Sequence, residues 1–338
     1  MPILQSNFKG NRFFKNKHVE TILPTLFRYV SIHFKRKRIL LADGDFLDLD
    51  WITNSSKNLL ILFHGLEGSS QSQYIKGFSK YFSERNFDVC VVNFRGCSGE
   101  MNLKLRSYHS GASDDISEVI NQISSDNLYE SIFLCGFSLG GNALLKYLGE
   151  ESVNINLKIK SAATFSVPVD LAASSKALAK GSNKIYMHRF LKSMNKKILK
   201  KAKLFSEKLN TEGIEKIKTF ADWDSRFTAP IHGFIDSTDY YQKCSSKQFL
   251  HQIKIPTLLV NALNDPFLSE ECFPFEIAKK SEYFYLEATQ QGGHVGFSKS
   301  FPNKNYWSEE RAFAFLSKYF YSFINFPLVM SPLLFLIS

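Results

Sequence analysis

Residues 131–148 read SIFLCGFSLGGNALLKYL. An apolar run of strand length leads into Gly136-Phe137-Ser138-Leu139-Gly140, a G-x-S-x-G sequence, and a helical segment follows it. A strand that turns straight into a helix bends so sharply that side chains flanking the serine would clash, which is the job of the glycines. The strain pushes the Ser138 hydroxyl out over the sheet edge, at the N-terminus of the helix. There the backbone N–H of Leu139 is free to stabilise an oxyanion. Ser138 is therefore the candidate nucleophile.

Working outward, short apolar runs bounded by Gly, Pro and Asp recur at 58–63 (NLLILF), 87–94 (FDVCVVNF), 159–165 (IKSAATF), 257–263 (TLLVNAL) and 282–288 (EYFYLEA). Runs of this kind read as strands buried on both faces, hence parallel and central. Helical segments at 74–86, 114–124 and 142–150 lie between them, so the chain reads as βαβ units in a doubly wound α/β sheet. Before them, ILLADGDFLDLDWI (39–52) carries an Asp43-Gly44 turn signal and partial alternation, the pattern of a half-buried antiparallel pair. From 168 to 255 no comparable strand appears. Residues 187–209 look instead like a basic amphipathic helix, with Phe190, Met194 and Ile198 at four-residue spacing beside Leu191, Leu199 and Leu204. The expected organisation is a basic N-terminal segment (1–37), a core (38–167 and 256–325), a helical cap insertion (168–255) over the sheet's C-terminal edge, and an apolar tail (326–338).

The 338 residues are 44% hydrophobic and 22% charged, which excludes a disordered chain, a collagen-like fibre and a small disulfide-stapled scaffold. Lys and Arg number 42 against 32 Asp and Glu, and the excess of +10 is uneven. Residues 1–40 hold nine basic groups and a single acid, Glu20; residues 184–218 hold eleven basic groups and three acids. Such clusters suit solvated faces or peripheral contact with an anionic membrane. No aromatic-basic platform accompanies them, so nucleic acid is not an expected partner. Five cysteines form no Cys-x-x-Cys pair, and Cys90 and Cys135 sit inside strand runs, which suits a reducing, cytoplasmic setting. No apolar stretch reaches about 18 residues, so no membrane-spanning helix is expected.

A serine hydroxyl needs a base, and the base an orienting acid. After a nucleophile elbow the chain order is Ser, then Asp or Glu, then His. Asp265 follows the 257–263 run, and His294 follows the last run within GGHVGF (292–297). Of the eight histidines, His18, His33, His188, His232 and His251 lie in the N-terminal segment or the cap, and His109 lies in an early loop. Asp236 and Asp239 are rival acids inside the cap. The second oxyanion donor is expected after the 58–63 strand, at the N–H of Leu66 beside His64-Gly65, with His64 a structural hydrogen-bonder. Arg95, Arg106, His109 and Asp114 are read as loop-stabilising groups, although His109-x4-Asp114 has the spacing of some lipid acyltransferases. No phosphate loop and no metal-ligand cluster is found.

These residues resemble a known family. HGLEGSSQSQY (64–74), NFRGCSGEMN (93–102), RSYHSGASDD (106–115), GFSLGGN (136–142), LNDPF (263–267) and GGHVGF (292–297) are similar to the YheT-like branch of the α/β-hydrolases, AB-hydrolase family 4. WDSRFTAP (223–230) fits as well. The resemblance implies a carboxylic-ester hydrolase with nucleophile Ser138, acid Asp265 and base His294, needing no cofactor. The aromatic content and the cap point to medium-chain acyl esters or acylglycerol-like lipids. An alcohol O-acyltransferase using the same three residues, and a catalytically silent lipid- or membrane-binding module, stand as alternatives.

Overall fold

Six apolar runs become adjacent parallel strands in the computed structural model, which describes residues 2–10, 16–299 and 305–320. The strands are β1 (Ile3–Leu4), β2 (Lys35–Leu40), β3 (Phe46–Ile52), β4 (Asn58–Phe63), β5 (Asp88–Asn93), β6 (Ser131–Phe137), β7 (Ile159–Phe165), β8 (Thr257–Ala262) and β9 (Phe284–Thr289). They form a single sheet in the order β1-β9-β8-β7-β6-β4-β5-β3-β2. β3 pairs antiparallel with both β2 and β5, and the other strand pairs are parallel.

Burial on both faces follows from the period-two geometry of a strand. Leu59, Ile61 and Phe63 of β4 point into one core, with Ile116, Ile120, Leu144 and Leu148. Leu60 and Leu62 point into the other, with Phe78, Phe82 and Phe315. Helices α1 (Lys17–Phe27), α2 (Gln73–Ser83), α3 (Ser113–Ser125) and α4 (Leu139–Glu151) precede the cap. Between β7 and β8 every regular element is helical: α5 (Leu171–Leu178), α6 (Lys184–Ala202), the short α7 (Phe220–Trp223), a π-helical turn (Asp224–Thr228), α8 (Ala229–His232) and α9 (Ser237–Cys244). α10 (Phe275–Lys280) and α11 (Trp307–Leu316) complete the chain's described helices.

Three details differ from the sequence reading. β3 is buried over Phe46 to Asp50 rather than half-buried, because β2 and β5 flank it and its aspartates are paired. Arg36 holds Asp50 at 2.7 and 2.8 Å, and Arg38 holds Asp48 at 2.8 and 2.9 Å. Part of the N-terminal positive charge is therefore an ion-pair ladder along the sheet edge. α6 ends at Ala202; Leu199 and Leu204 are exposed, whereas Tyr186, Met187, Leu191, Met194, Ile198 and Lys201 are buried. The buried Lys201 donates from Nζ to the carbonyls of Lys104, Leu105 and Arg106, which accounts for a cation on an inward face. The apolar tail (326–338) lies outside the described residues. Among the described residues no helix is long and apolar enough to cross a membrane.

Register places the site. Phe63 of β4 pairs with Gly136 of β6, Phe137 with Phe165 of β7, Phe165 with Val260 of β8, and Ala262 with Thr289 of β9. The turns that follow these strands therefore emerge side by side at the sheet's C-terminal edge, where open α/β sheets hold their ligands.

Candidate active site

One residue separates β6 from α4. Ser138 has φ +50° and ψ −120°, a conformation that L-residues rarely adopt. Strain of this kind costs about 1–3 kcal/mol and persists only where the surroundings impose it. The flanking glycines show what imposes it: a Cβ on Gly136 would come 2.7 Å from Gly141 Cα, and one on Gly140 would come 2.3 Å from the His64 carbonyl oxygen. The Ser138 N–H donates to the Phe165 carbonyl at 3.0 Å. Leu139 is the first residue of α4, and the leading N–H groups of a helix lack intrahelical acceptors.

Asp265 and His294 meet Ser138 from the neighbouring turns. The Ser138 hydroxyl lies 3.0 Å from His294 Nε2, and His294 Nδ1 lies 2.8 Å from Asp265 Oδ2. Because the carboxylate accepts, Nδ1 carries the proton and Nε2 is free to accept from Ser138. The other carboxylate oxygen, Oδ1, accepts the Phe267 N–H at 2.8 Å. The Phe267 ring stacks on the imidazole with centroids 3.9 Å apart.

Four successive backbone N–H groups of the histidine turn are satisfied by side chains. Gly292 donates to Glu20 Oε2 (3.2 Å), Gly293 to Asn264 Oδ1 (3.0 Å), His294 to Thr21 Oγ1 (3.0 Å) and Val295 to Ser166 Oγ (2.9 Å). Asn264 Nδ2 also donates to Glu20 Oε2 at 2.6 Å. Burial raises the Glu20 carboxyl above its ordinary range, against the opposing pull of these bonds. α1 thus lies directly on the turn; a Cβ on Gly296 would come 2.3 Å from the Glu20 carbonyl. Sequence reasoning missed Glu20, Thr21, Asn264 and Phe267. The one available signal was Glu20, the lone acid in a basic segment.

The turn after β4 is built differently. His64 is fully buried; Nε2 accepts the Phe94 N–H (3.1 Å), so Nδ1 carries the proton and donates to the Gly65 carbonyl (2.8 Å). Burial lowers its pKa to about 4. The Gly65 N–H donates to the Tyr74 hydroxyl at 2.9 Å, while the Leu66 N–H meets no protein acceptor among the described residues.

The other expectations resolve into structural partners. Asp236 caps α9 and Asp239 pairs with Lys243. Arg95 is clamped by Asp115, Asp43 and Asp45, and Arg106 by Asp114. His109 accepts the Gly111 N–H, and His232 lies against the carbonyls of Thr228 and Ser107. His109 and Asp114 therefore do not form a pair. Among the described residues no cluster of His, Cys, Asp or Glu suits a metal ion.

Two cavities meet at Ser138 and His294. One of about 150 Å³ lies under the cap, with Leu139, Leu171, Leu178, Met194, Ile198 and Phe220 among its walls. The second, of about 500 Å³, lies between α1, the turn after β4 and α6, and carries Thr21, Thr25, Gln71, Ser72 and Gln73. Asp224 lines the first; burial raises its pKa to about 6, although the hydroxyls of Thr228 and Tyr241 both donate to it.

Known proteins share this plan. A family model described as the alpha/beta hydrolase fold matches residues 58–300. The candidate esterase YheT of Escherichia coli (strain K12) is 34% identical over 93% of this chain and 94% of its own. Phospholipase ABHD3 of Bos taurus is 31% identical over 79% of this chain and 67% of its own. The solved esterase Pf2001 of Pyrococcus furiosus superposes with a TM-score of 0.57 at 18% identity, covering 86% of this chain and 91% of that one, a likeness of fold. With the sheet order, the elbow at Ser138 and these matches in hand, the chain belongs to the α/β-hydrolase fold family, in its YheT-like branch.

Proposed function

We propose that the protein is a serine hydrolase of carboxylic esters, with medium-chain acyl esters or acylglycerol-like lipids as substrates. The observation that carries this reading is the hydrogen-bonded chain from Ser138 Oγ through His294 to Asp265 at the junction of two cavities. Ser138 Oγ attacks the acyl carbon while His294 Nε2 takes its proton, and the carbonyl oxygen becomes an oxyanion beside the N–H groups of Leu66 and Leu139. His294 then delivers that proton to the leaving alkoxide oxygen as the C–O bond breaks. Water attacks the acyl-serine, His294 removes its proton and returns it to Ser138 Oγ, and the carboxylic acid departs. Asp265 holds the imidazole in its Nδ1–H tautomer throughout and stabilises the imidazolium. The leucine, methionine, isoleucine and phenylalanine walls of the cavity under the cap suit the acyl group, and the cavity carrying threonine and glutamine suits the alcohol portion. The relatives named as an esterase and a phospholipase support an ester, lipid esters included, as substrate.

The cysteines are free and buried, in keeping with a reducing cytoplasm. α6 and the turn after it expose Lys184, Lys192, Lys196, Lys200 and Lys203 next to Ile185, Leu199 and Leu204. This mixture suits peripheral contact with an anionic lipid face, which sedimentation with vesicles at low and high salt measures directly.

The deciding test is hydrolysis of p-nitrophenyl esters from C2 to C16 by the wild type and Ser138→Ala, with fluorophosphonate labelling of both. Turnover and labelling that vanish together in Ser138→Ala support the reading. A wild type that neither turns over an ester nor takes the label overturns it.

A further inference from the structure

We propose that the cap is part of the oxyanion apparatus: Glu67, held by Ser193 and Lys197 of α6 and by Tyr108, is the positioning residue that fixes the Leu66 N–H. The proposal rests on the serine-hydrolase reading and adds to it a requirement for the docked cap.

Glu67 follows Leu66 directly and has φ +56°, a left-handed conformation unusual for a residue with a long side chain. Something outside the turn has to hold it there. Its side chain is 9% exposed, and three donors converge on its carboxylate. Lys197 Nζ lies 2.8 Å from Oε1, the Tyr108 hydroxyl lies 2.7 Å from the same oxygen, and the Ser193 hydroxyl donates to Oε2. The Glu67 N–H in turn donates to the Tyr108 hydroxyl at 2.9 Å, so backbone and side chain are fastened by one phenol. Burial alone would raise the Glu67 carboxyl, but Lys197 with these hydroxyls holds it below its usual range, so the pair stays ionised.

The placement of this cluster gives it a consequence for chemistry. Upstream of Leu66 the turn is fixed by His64, which accepts the Phe94 N–H, and by Tyr74 of α2, which accepts the Gly65 N–H. Downstream, the Glu67 side chain is fixed by the cap and by the loop before α3. Leu66 lies between the two anchors, and its N–H takes its direction from both. Glu67 also lines both cavities, with Lys197 on the wall of one and Ser193 on the wall of the other. Lifting α6 away from the sheet would strip two donors from a buried carboxylate and release one of the two oxyanion donors.

The test uses Lys197→Met, Ser193→Ala and Glu67→Gln in the full chain, with p-nitrophenyl acetate, an ester too small to need the cap as a binding surface. Each variant is also titrated with a trifluoromethyl ketone. Ser138 Oγ adds to the ketone carbon, the hydroxyl proton passes to His294, and the carbonyl oxygen becomes an oxyanion. Its non-electrophilic secondary alcohol counterpart serves as the ground-state control. Loss of one oxyanion donor costs about 10²–10³-fold in kcat, and displacement of a positioned group by about 1 Å costs about 10²-fold. The expected result for Lys197→Met is a fall in kcat of about 10- to 100-fold with KM within about threefold. Ketone affinity falls in parallel, binding of the alcohol is unchanged, and Lys197→Arg recovers part of the loss. Ser193→Ala, which removes one hydroxyl and leaves the ion pair, shifts the same quantities less and serves if Lys197→Met fails to fold. Wild-type kcat and ketone affinity in the folded variants would overturn the proposal, as would equal loss of ketone and alcohol binding. Absence of fluorophosphonate labelling in the wild type instead overturns the hydrolase reading beneath it.

Discussion

The turns after β4 and β9 both present a histidine at the sheet's C-terminal edge, and the partners of those histidines could hardly differ more. His64 is bonded on both nitrogens to backbone, a carbonyl on one side and an N–H on the other. His294 is bonded on both nitrogens to side chains, a carboxylate and a hydroxyl. A peptide N–H does not give up its proton and a peptide carbonyl does not take one, so His64 can only hold shape. A serine hydroxyl can give up a proton to a base whose new charge an adjacent carboxylate stabilises. Residue type alone therefore does not assign the role; the chemistry of the two partners does.

The largest expected effect sets these two against each other. His294→Ala is expected to lower kcat/KM for a short p-nitrophenyl ester by about 10⁴- to 10⁶-fold. Its thermal unfolding midpoint should stay near that of the wild type, since the imidazole reaches the cavities and is not core. His64→Ala is expected to act through structure instead, lowering stability and, by loosening the Leu66 turn, kcat as well. It strands a buried N–H and carbonyl and leaves a void, costing about 2–4 kcal/mol in urea unfolding. Its pH–rate profile should keep the wild-type shape. A changed pH–rate profile in a fully stable His64→Ala protein would break the comparison.

The next effect concerns what holds each turn. The β4 turn leans on the cap, and the β9 turn leans on α1 through Thr21 and Glu20. Thr21→Val removes the acceptor of the His294 N–H with little change in volume. A kcat lower by about tenfold with KM unchanged is expected, and Thr21→Ser should restore most of it. Glu20→Gln keeps an acceptor but loses the charge, so a loss of only a few-fold is expected. If Thr21→Val loses stability but not kcat, α1 is a packing element only.

Much of this was legible in the sequence because it depends on local pattern. The runs 58–63, 131–137 and 159–165 coincide with β4, β6 and β7, since strands covered on both faces must be apolar throughout. Ser138, Asp265 and His294 could be named because each follows such a strand, and the structure brings all three within hydrogen-bond distance. α1 on the histidine turn was not legible. Its contacts join residues more than 240 positions apart through single polar atoms, and such contacts leave no periodic trace. Lys201 misled for a related reason: three carbonyls of a distant loop turn a cation that reads as surface into a buried one. β1, two residues long, is shorter than any pattern could reveal.

The smallest effect sharpens the comparison from a third buried site. In both turns the buried polar atoms meet partners that suit their charge, whereas Asp224 in the cavity wall meets, among the described residues, the hydroxyls of Thr228 and Tyr241 and no cation. Its pKa of about 6 lies above that of an unfolded aspartate. The folded state therefore holds this proton more tightly than the unfolded state. The stability it contributes is fully present below about pH 4 and is lost as pH rises through about 6. Two pKa units of separation correspond to roughly 2–4 kcal/mol across that window. Asp224→Asn cannot ionise, so the unfolding free energy of the wild type relative to this variant should fall by that amount between pH 4 and pH 7.5. The groups common to both proteins cancel in the difference. A difference independent of pH would mean that Asp224 is already ionised at pH 4, with the two hydroxyls enough to hold a buried carboxylate charged. Asp224 would then belong with His64, as a group fastened for shape, and the cavity wall would carry a fixed negative charge toward the acyl group.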